Sequence, residues 1–158
     1  MTYYKTIDTA IGRHLCGSDG EKITMFTLPG DYGKRDSDLP VFRLVEEYFG
    51  QYFDGEVPDV SVPLDLSSVS DFCGKVLSVV QKIPYGSVMT YGDIAAVIGA
   101  ERGRTVAAQA VGGAVKRNPA AIIVPCHRVV AKDGVGGYFG AEALKISLLR
   151  FEAEHIKS

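Results

Sequence analysis

The stretch TYGDIAAVIGAERGRTVAAQAVGGAVKRNP, residues 90–119, decides the fold of the second half of the chain. It holds two short helix-forming runs, 93–98 and 105–116, separated by a turn that contains Gly103, with Gly99 read as closing the first run. A longer run precedes it over 69–82, where Phe72, Val76, Leu77, Val79 and Val80 recur at helical spacing and lead to Ile83. Between them, Pro84 and Gly86 mark a turn and 87–90 a short extended piece. One longer helix followed by two short ones about a Gly turn predicts a helix-turn-helix arrangement. The second short helix carries Ala107, Ala108, Ala110, Gly112 and Gly113. Side chains this small let a partner's backbone approach closely, and tight helix–helix packing would use them equally well.

Toward the C-terminus, AAIIVPCHRVV (120–130) reads as an apolar strand interrupted by Pro-Cys-His-Arg. A Gly-rich loop, 132–140, leads into a last helix over 141–153 with Leu144, Leu148, Leu149 and Phe151 facing inward. Toward the N-terminus, β-branched and aromatic residues broken by Gly and Asp predict short strands of a small sheet over 1–26. Leu39, Phe42, Leu44, Val45, Tyr48, Phe49 and Tyr52 follow with a helical period that ends near Gly55. Residues 54–68, with two prolines and few helix formers, read as the connection. The expected fold is therefore α/β in two parts: a sheet-plus-helix domain over 1–62, a linker over 63–68, and a mostly helical, winged-helix-like domain over 69–158.

Composition bounds the function. At 158 residues with 46% hydrophobic and 23% charged side chains, the chain can bury a core without metal or disulfide staples. No apolar run nears the roughly 18 residues that span a bilayer, and the N-terminus lacks a signal peptide's apolar stretch. The expectation is a soluble protein, cytoplasmic in a prokaryotic cell or nuclear in a eukaryotic one, with no membrane partner. Residues 1–68 carry a net −6 and residues 101–158 a net +4, so a polyanion would meet the C-terminal part. Three cysteines, Cys16, Cys73 and Cys126, without a CxxC spacing, and only three histidines argue against a disulfide framework and a metal site.

Cys16 and Cys73 read as small buried hydrophobes. Cys126 differs, because His127 and Arg128 place two potential cations beside a potential thiolate, which lowers a thiol pKa. In an extended segment neighbouring side chains point to opposite faces, so His127 would reach the sulfur through a bridging water. A thiolate that attacks carbon with histidine as base is a nucleophilic arrangement, and spacing alone leaves hydrolase and alkyl acceptor both open.

PYGSVMTYGDIA (84–95), AVGGAVKRNP (110–119), IIVPCHRVV (122–130), GGYFG (136–140) and LLRFE (148–152), in this order, resemble the O6-alkylguanine-DNA alkyltransferases. These are suicidal DNA-repair proteins also called methylated-DNA–protein-cysteine methyltransferases. The resemblance is close over about 69–152 and one of pattern only over 1–62. It implies that Cys126 accepts the alkyl group, that His127 is the base acting through water, and that Glu152 holds the imidazole. Without it, Glu152 would read as a solvated helix-end carboxylate. Asn118 corresponds to a hinge asparagine bracing the backbone around the cysteine, and it also suits a helix end before Pro119.

The resemblance further implies DNA bound through its minor groove and the alkylguanine flipped into a pocket, with Tyr91 pushing on the target phosphate and donating to the guanine ring. Tyr138 would line that pocket, and the backbone around Val135 to Gly140, Phe139 included, and at Cys126 would hydrogen-bond the base edge. Ala107, Ala108, Ala110 and Gly112 would face the duplex, with Arg128 also on the DNA-binding side. The family acts as a monomer and without a cofactor. Two residues depart from its pattern. Gln109-Ala110-Val111-Gly112 stands where the family reads Arg-Ala-Val-Gly, which removes the arginine that fills the gap left by the flipped base. Phe139 replaces a small residue and makes the pocket rim bulkier. The N-terminal part also lacks the Cys/His cluster that binds zinc in some relatives. Two other readings fit parts of the pattern: a lesion-binding relative with little transfer, and a helix-turn-helix regulator.

Overall fold

The computed structural model describes residues 1–156. The architecture is α/β, in two compact units. The first takes Met1–Leu66 together with Pro119–Ile123, and the second takes Ser67–Asn118 and the chain from Val124 onward.

In the first unit, β1 (Tyr3–Thr9), β2 (Gly12–Ser18) and β3 (Ile23–Phe26) form an antiparallel sheet in that order. Thr9 pairs with Gly12 at the tight β1–β2 hairpin, and the β2–β3 register shifts between Gly17 and Ser18. The helix α1 (Pro40–Phe53) starts with proline at a first-turn position, where its missing N–H costs nothing. It buries Val41, Phe42, Val45, Phe49 and Tyr52. His14 is a core residue: its ring stacks 4.7 Å from Phe26, Nε2 lies 2.8 Å from the Thr9 hydroxyl, and Nδ1 lies 2.9 Å from the Thr27 carbonyl. The connecting segment is tied down, since Ile23 N–H donates to the Pro63 carbonyl at 2.8 Å and Ile23 bridges Leu64. Pro119–Ile123, which the sequence reading places with the second half, runs beside β3: Phe26 N–H donates to the Pro119 carbonyl and Ala121 N–H to the Phe26 carbonyl.

The second unit holds α2 (Asp71–Gln81), α3 (Tyr91–Arg102), α4 (Ala108–Val115) and α5 (Glu142–His155), with β4 (Met89–Thr90) and β5 (Val129–Val130) paired in parallel. Both short helices have bounds other than those expected from the sequence. The first short helix begins at Tyr91 and not at 93, because Thr90 and Asp93 form a reciprocal capping box. It runs through Gly99 to Arg102 and stops at Gly103, whose φ of +67° is the left-handed cap. Gly99 serves packing instead: a methyl group there would stand 2.6 Å from the Arg104 carbonyl oxygen. The second short helix covers only Ala108–Val115, with Ala107 extended before it.

The expected strand over 120–130 is corrected too. The chain makes two tight turns, one at Ile122 (φ +71°), closed by Ile123 N–H to Ala121 C=O, and one at Pro125 (φ −79°, ψ 61°), closed by Cys126 N–H to Val124 C=O. Cys126–Arg128 is then a single 3-10 turn, and only Val129–Val130 is strand. Among the described residues, no helix is long and apolar enough to cross a membrane.

Candidate active site

The parallel pairing of β4 with β5 builds the site. Met89 lies beside Val129 and Thr90 beside Val130, so Tyr91, first residue of α3, is delivered next to the turn that carries Cys126, His127 and Arg128. Cys126 is 1% exposed, and His127 is wholly buried. Cys126 and His127 lie in a 3-10 turn, so their side chains do not alternate across two faces as they would in a strand. The imidazole is oriented by α5 instead.

Glu152, on the buried face of α5, accepts from His127, Arg128 and the Gly86 backbone. His127 Nε2 lies 2.5 Å from Oε2, Arg128 Nε 2.7 Å from Oε1, Arg128 Nη2 3.1 Å from Oε2, and the Gly86 N–H 3.3 Å from Oε1. Burial pushes the Glu152 carboxyl up, but His127 and Arg128 outweigh it and hold it down at about 2. Burial pushes the His127 imidazole below its ordinary range, against the pull of Glu152, so the ring is neutral near pH 7. With Nε2–H committed to Glu152, the lone pair sits on Nδ1, which is buried without a hydrogen-bond partner. Nδ1 is therefore a base held ready, with its tautomer fixed from behind.

These shifts give stability a direction with pH. The Glu152 contribution is fully present above the ordinary carboxyl value of 4.5 and is lost as pH falls from there toward about 2. Buried His127 and His14 both resist the proton that an unfolded imidazole takes up below 6.5, which also removes stability on acidification. The urea midpoint is expected to fall steadily from pH 7 to pH 3. A midpoint that rises between pH 7 and 5 would contradict these assignments.

Arg128 was expected on the DNA side. It is buried instead, with Nη1 on the Ile83 carbonyl at 2.9 Å and its guanidinium 5.5 Å from the Tyr85 ring centroid. Its other nitrogens serve Glu152, so it positions the carboxylate. Asn118 is 7% exposed and donates from Nδ2 to the Val124 carbonyl at 2.9 Å, bracing the backbone two residues before Cys126.

The loop after β5 forms the remaining wall. Gly136 (φ +81°) lets Tyr91 in: a methyl group there would stand 2.9 Å from the Tyr91 hydroxyl and 3.2 Å from Ala131 N. Tyr138 is buried edge-on to His127, ring centroids 6.4 Å apart, and its hydroxyl has no partner. Burial raises both phenols, with Cys126 adding to the effect, so both remain O–H donors near neutral pH. Val135 is half-buried, while Phe139 and Gly140 are exposed.

Sequence reasoning missed Lys145. It is wholly buried on α5, and Nζ donates to the Val129 carbonyl at 2.6 Å and the Gly137 carbonyl at 3.1 Å, tying β5 to the loop. Burial lowers its pKa, opposed by Cys126. A signal was present: 145, 148 and 152 share one helical stripe, so Lys145 and Glu152 flank buried Leu148 on the apolar face.

Ala107, just before α4, and Ala108, Gln109 and Ala110 in its first turn are exposed. Ala108, Gln109, Gly112, Gly113 and Lys116 line an open groove of about 530 Å³ that also takes in Tyr91 and Gly137. Among the described residues no cluster of His, Cys, Asp and Glu could hold a metal ion.

The family model described as 6-O-methylguanine DNA methyltransferase, DNA binding domain, matches residues 71–154. The chain belongs to this family. The methylated-DNA–protein-cysteine methyltransferase of Haemophilus influenzae is 37% identical over 95% of this chain and 86% of its own length. That of Archaeoglobus fulgidus is 44% identical over 73% and 76%. The crystal structure of the Mycobacterium tuberculosis O6-methylguanine methyltransferase superposes with a TM-score of 0.84 at 34% identity, covering 100% of this chain and 96% of that one. A structure of the same organism's protein in complex with DNA matches with a TM-score of 0.84 at 36% identity, over 99% and 96%. The methyltransferase family match spans α2 to α5, the elements that carry Cys126, His127, Glu152, Tyr91 and Tyr138.

Proposed function

We propose that this protein repairs DNA by moving the alkyl group of O6-alkylguanine onto its own Cys126, once per molecule. The observation that carries the proposal is the Cys126–Arg128 turn. It buries a thiol beside a neutral imidazole whose Nε2 is committed to Glu152 and whose Nδ1 is unpartnered.

In the step itself, His127 Nδ1 takes the Cys126 proton through a water, and Glu152 stabilises the imidazolium that forms. The thiolate attacks the alkyl carbon in line, an S–C bond forms, the C–O6 bond breaks, and the electron pair leaves with guanine. The Tyr91 O–H, held by Gly136 and α3, donates to the departing ring as charge develops on it. Asn118 and Lys145 fix the backbone on either side of the sulfur. The target must leave the stack to reach a thiol this buried, and the small residues Ala107, Ala108, Ala110 and Gly112 let α4 lie close to the minor groove. The chain works as a monomer in the cytoplasm, with no cofactor in the reaction.

Methyl-labelled O6-methylguanine in an oligonucleotide is expected to pass one equivalent of label to the protein. Release of the label as methanol would mark a hydrolase and overturn the proposal.

Gln109 sets how well duplex DNA is handled. Extrusion from a paired stack costs a few kcal/mol, and glutamine lacks arginine's charge, reach and planar face for filling the gap. Gln109→Arg is therefore expected to tighten duplex binding, steepen its salt dependence and speed duplex repair, with little change on single strands. Single-turnover repair of one oligonucleotide, alone and annealed, tests this. An equal gain on both would assign the gap to another residue.

A further inference from the structure

We propose that Phe139 stacks on the extruded alkylguanine and closes the mouth of the Cys126 pocket over it, a role that rests on the alkyl-transfer reading above. Tyr138 to Ala141 form a tight turn, in which Ala141 N–H donates to the Tyr138 carbonyl at 2.7 Å. The two central residues, Phe139 and Gly140, both have positive φ, +53° and +80°. That is the turn type that favours Asn-Gly or Gly-Gly, because a bulky side chain at positive φ is strained.

Burial does not repay the strain at Phe139, which is 44% exposed, whereas Tyr138 beside it is 3% exposed. The ring is nevertheless placed with order. His127 meets Tyr138 edge-on at 6.4 Å, and Tyr138 meets Phe139 at 5.2 Å with a 55° tilt, so successive ring contacts link the buried base to the exposed Phe139. The Tyr138 hydroxyl is buried without a partner and is suited to a polar ligand edge, while His127 Nδ1 beneath it is kept for the Cys126 proton. Gly137, two residues before Phe139, lines the same groove as Gln109 and Gly112 of α4. Strain retained at the rim of a reactive site, without a packing return, points to a function for the side chain. A purine that enters edge-first offers a π-face to the outermost ring, and a ring lying on it keeps bulk water from the thiolate.

The experiment uses the full chain, wild type, Phe139→Asn and Phe139→Leu. It follows single-turnover methyl transfer to Cys126 from O6-methylguanine as free base, in a single strand and in a duplex, beside the urea midpoint. Phe139→Asn suits the turn and is expected to raise the midpoint. It is expected to raise the half-saturating concentration about tenfold on all three substrates, the size of one base–aromatic stack. Phe139→Leu should fall between the two. Free-base transfer equal to wild type would place the ring against a neighbouring base or nothing, and a lowered midpoint in Phe139→Asn would make it structural. Either result overturns this proposal while wild-type transfer leaves the parent reading standing. Absence of transfer by the wild type from every substrate would overturn both.

Discussion

Cys126→Ser is expected to bind alkylated DNA and transfer nothing. A serine hydroxyl at neutral pH is almost wholly protonated, and it is a far weaker nucleophile toward an alkyl carbon than a thiolate. The substitution changes one atom in a buried turn whose backbone is set by Pro125, the Val124 carbonyl and Asn118, so the fold and the α4 face should persist. The other cysteines serve as controls. Burial in the sheet pushes the Cys16 thiol up to about 12, which leaves it inert, and Cys73 donates its S–H to the Ala114 carbonyl at 3.2 Å between α2 and α4. Cys16→Ala and Cys73→Ser are expected to retain transfer. Detectable methyl transfer by Cys126→Ser in a single-turnover assay would remove Cys126 from its role.

Glu152→Gln is expected to cost both stability and rate. The carboxylate accepts from His127, Arg128 and Gly86, whereas an amide must turn its NH₂ toward donors that already point at it. It also leaves the Arg128 guanidinium buried without a counter-charge, for which removal of one partner typically costs about 3–5 kcal/mol. Nothing anionic then stabilises the imidazolium, and loss of such general-base support costs about 10² to 10⁴ in rate. Urea midpoints and single-turnover rates, taken where both proteins are folded, separate the two effects. An unchanged rate would show that His127 works independently of Glu152, and an unchanged midpoint that the buried cluster tolerates the loss of its charge.

Much of this site is legible in the residue order, and the failures have physical causes. Helical periodicity located α1 and α2 because each buries one continuous stripe. The ends of α3 escaped it, since Gly99 looks like a stop when the close approach of Arg104 is unseen and Gly103 is the true cap. The Cys126–Arg128 turn escaped because an apolar run with β-branched residues reads as a strand; what ends the strand is a pair of tight turns at Ile122 and Pro125. Arg128 and Lys145 were misread or missed for one reason: charged side chains are expected outside, and only their partners, Glu152 for the first and two backbone carbonyls for the second, make burial tolerable. Those partners come from β5, the loop and α5, so no local window contains them.

Peptide mass mapping after incubation with an O6-methylguanine oligonucleotide tests the central claim most directly. One added methyl group is expected on the peptide that contains Cys126, none on those with Cys16 or Cys73, and unmodified guanine is expected in the DNA. Methyl loss from the DNA with Cys126 unmodified, or the methyl group on another residue, would contradict it.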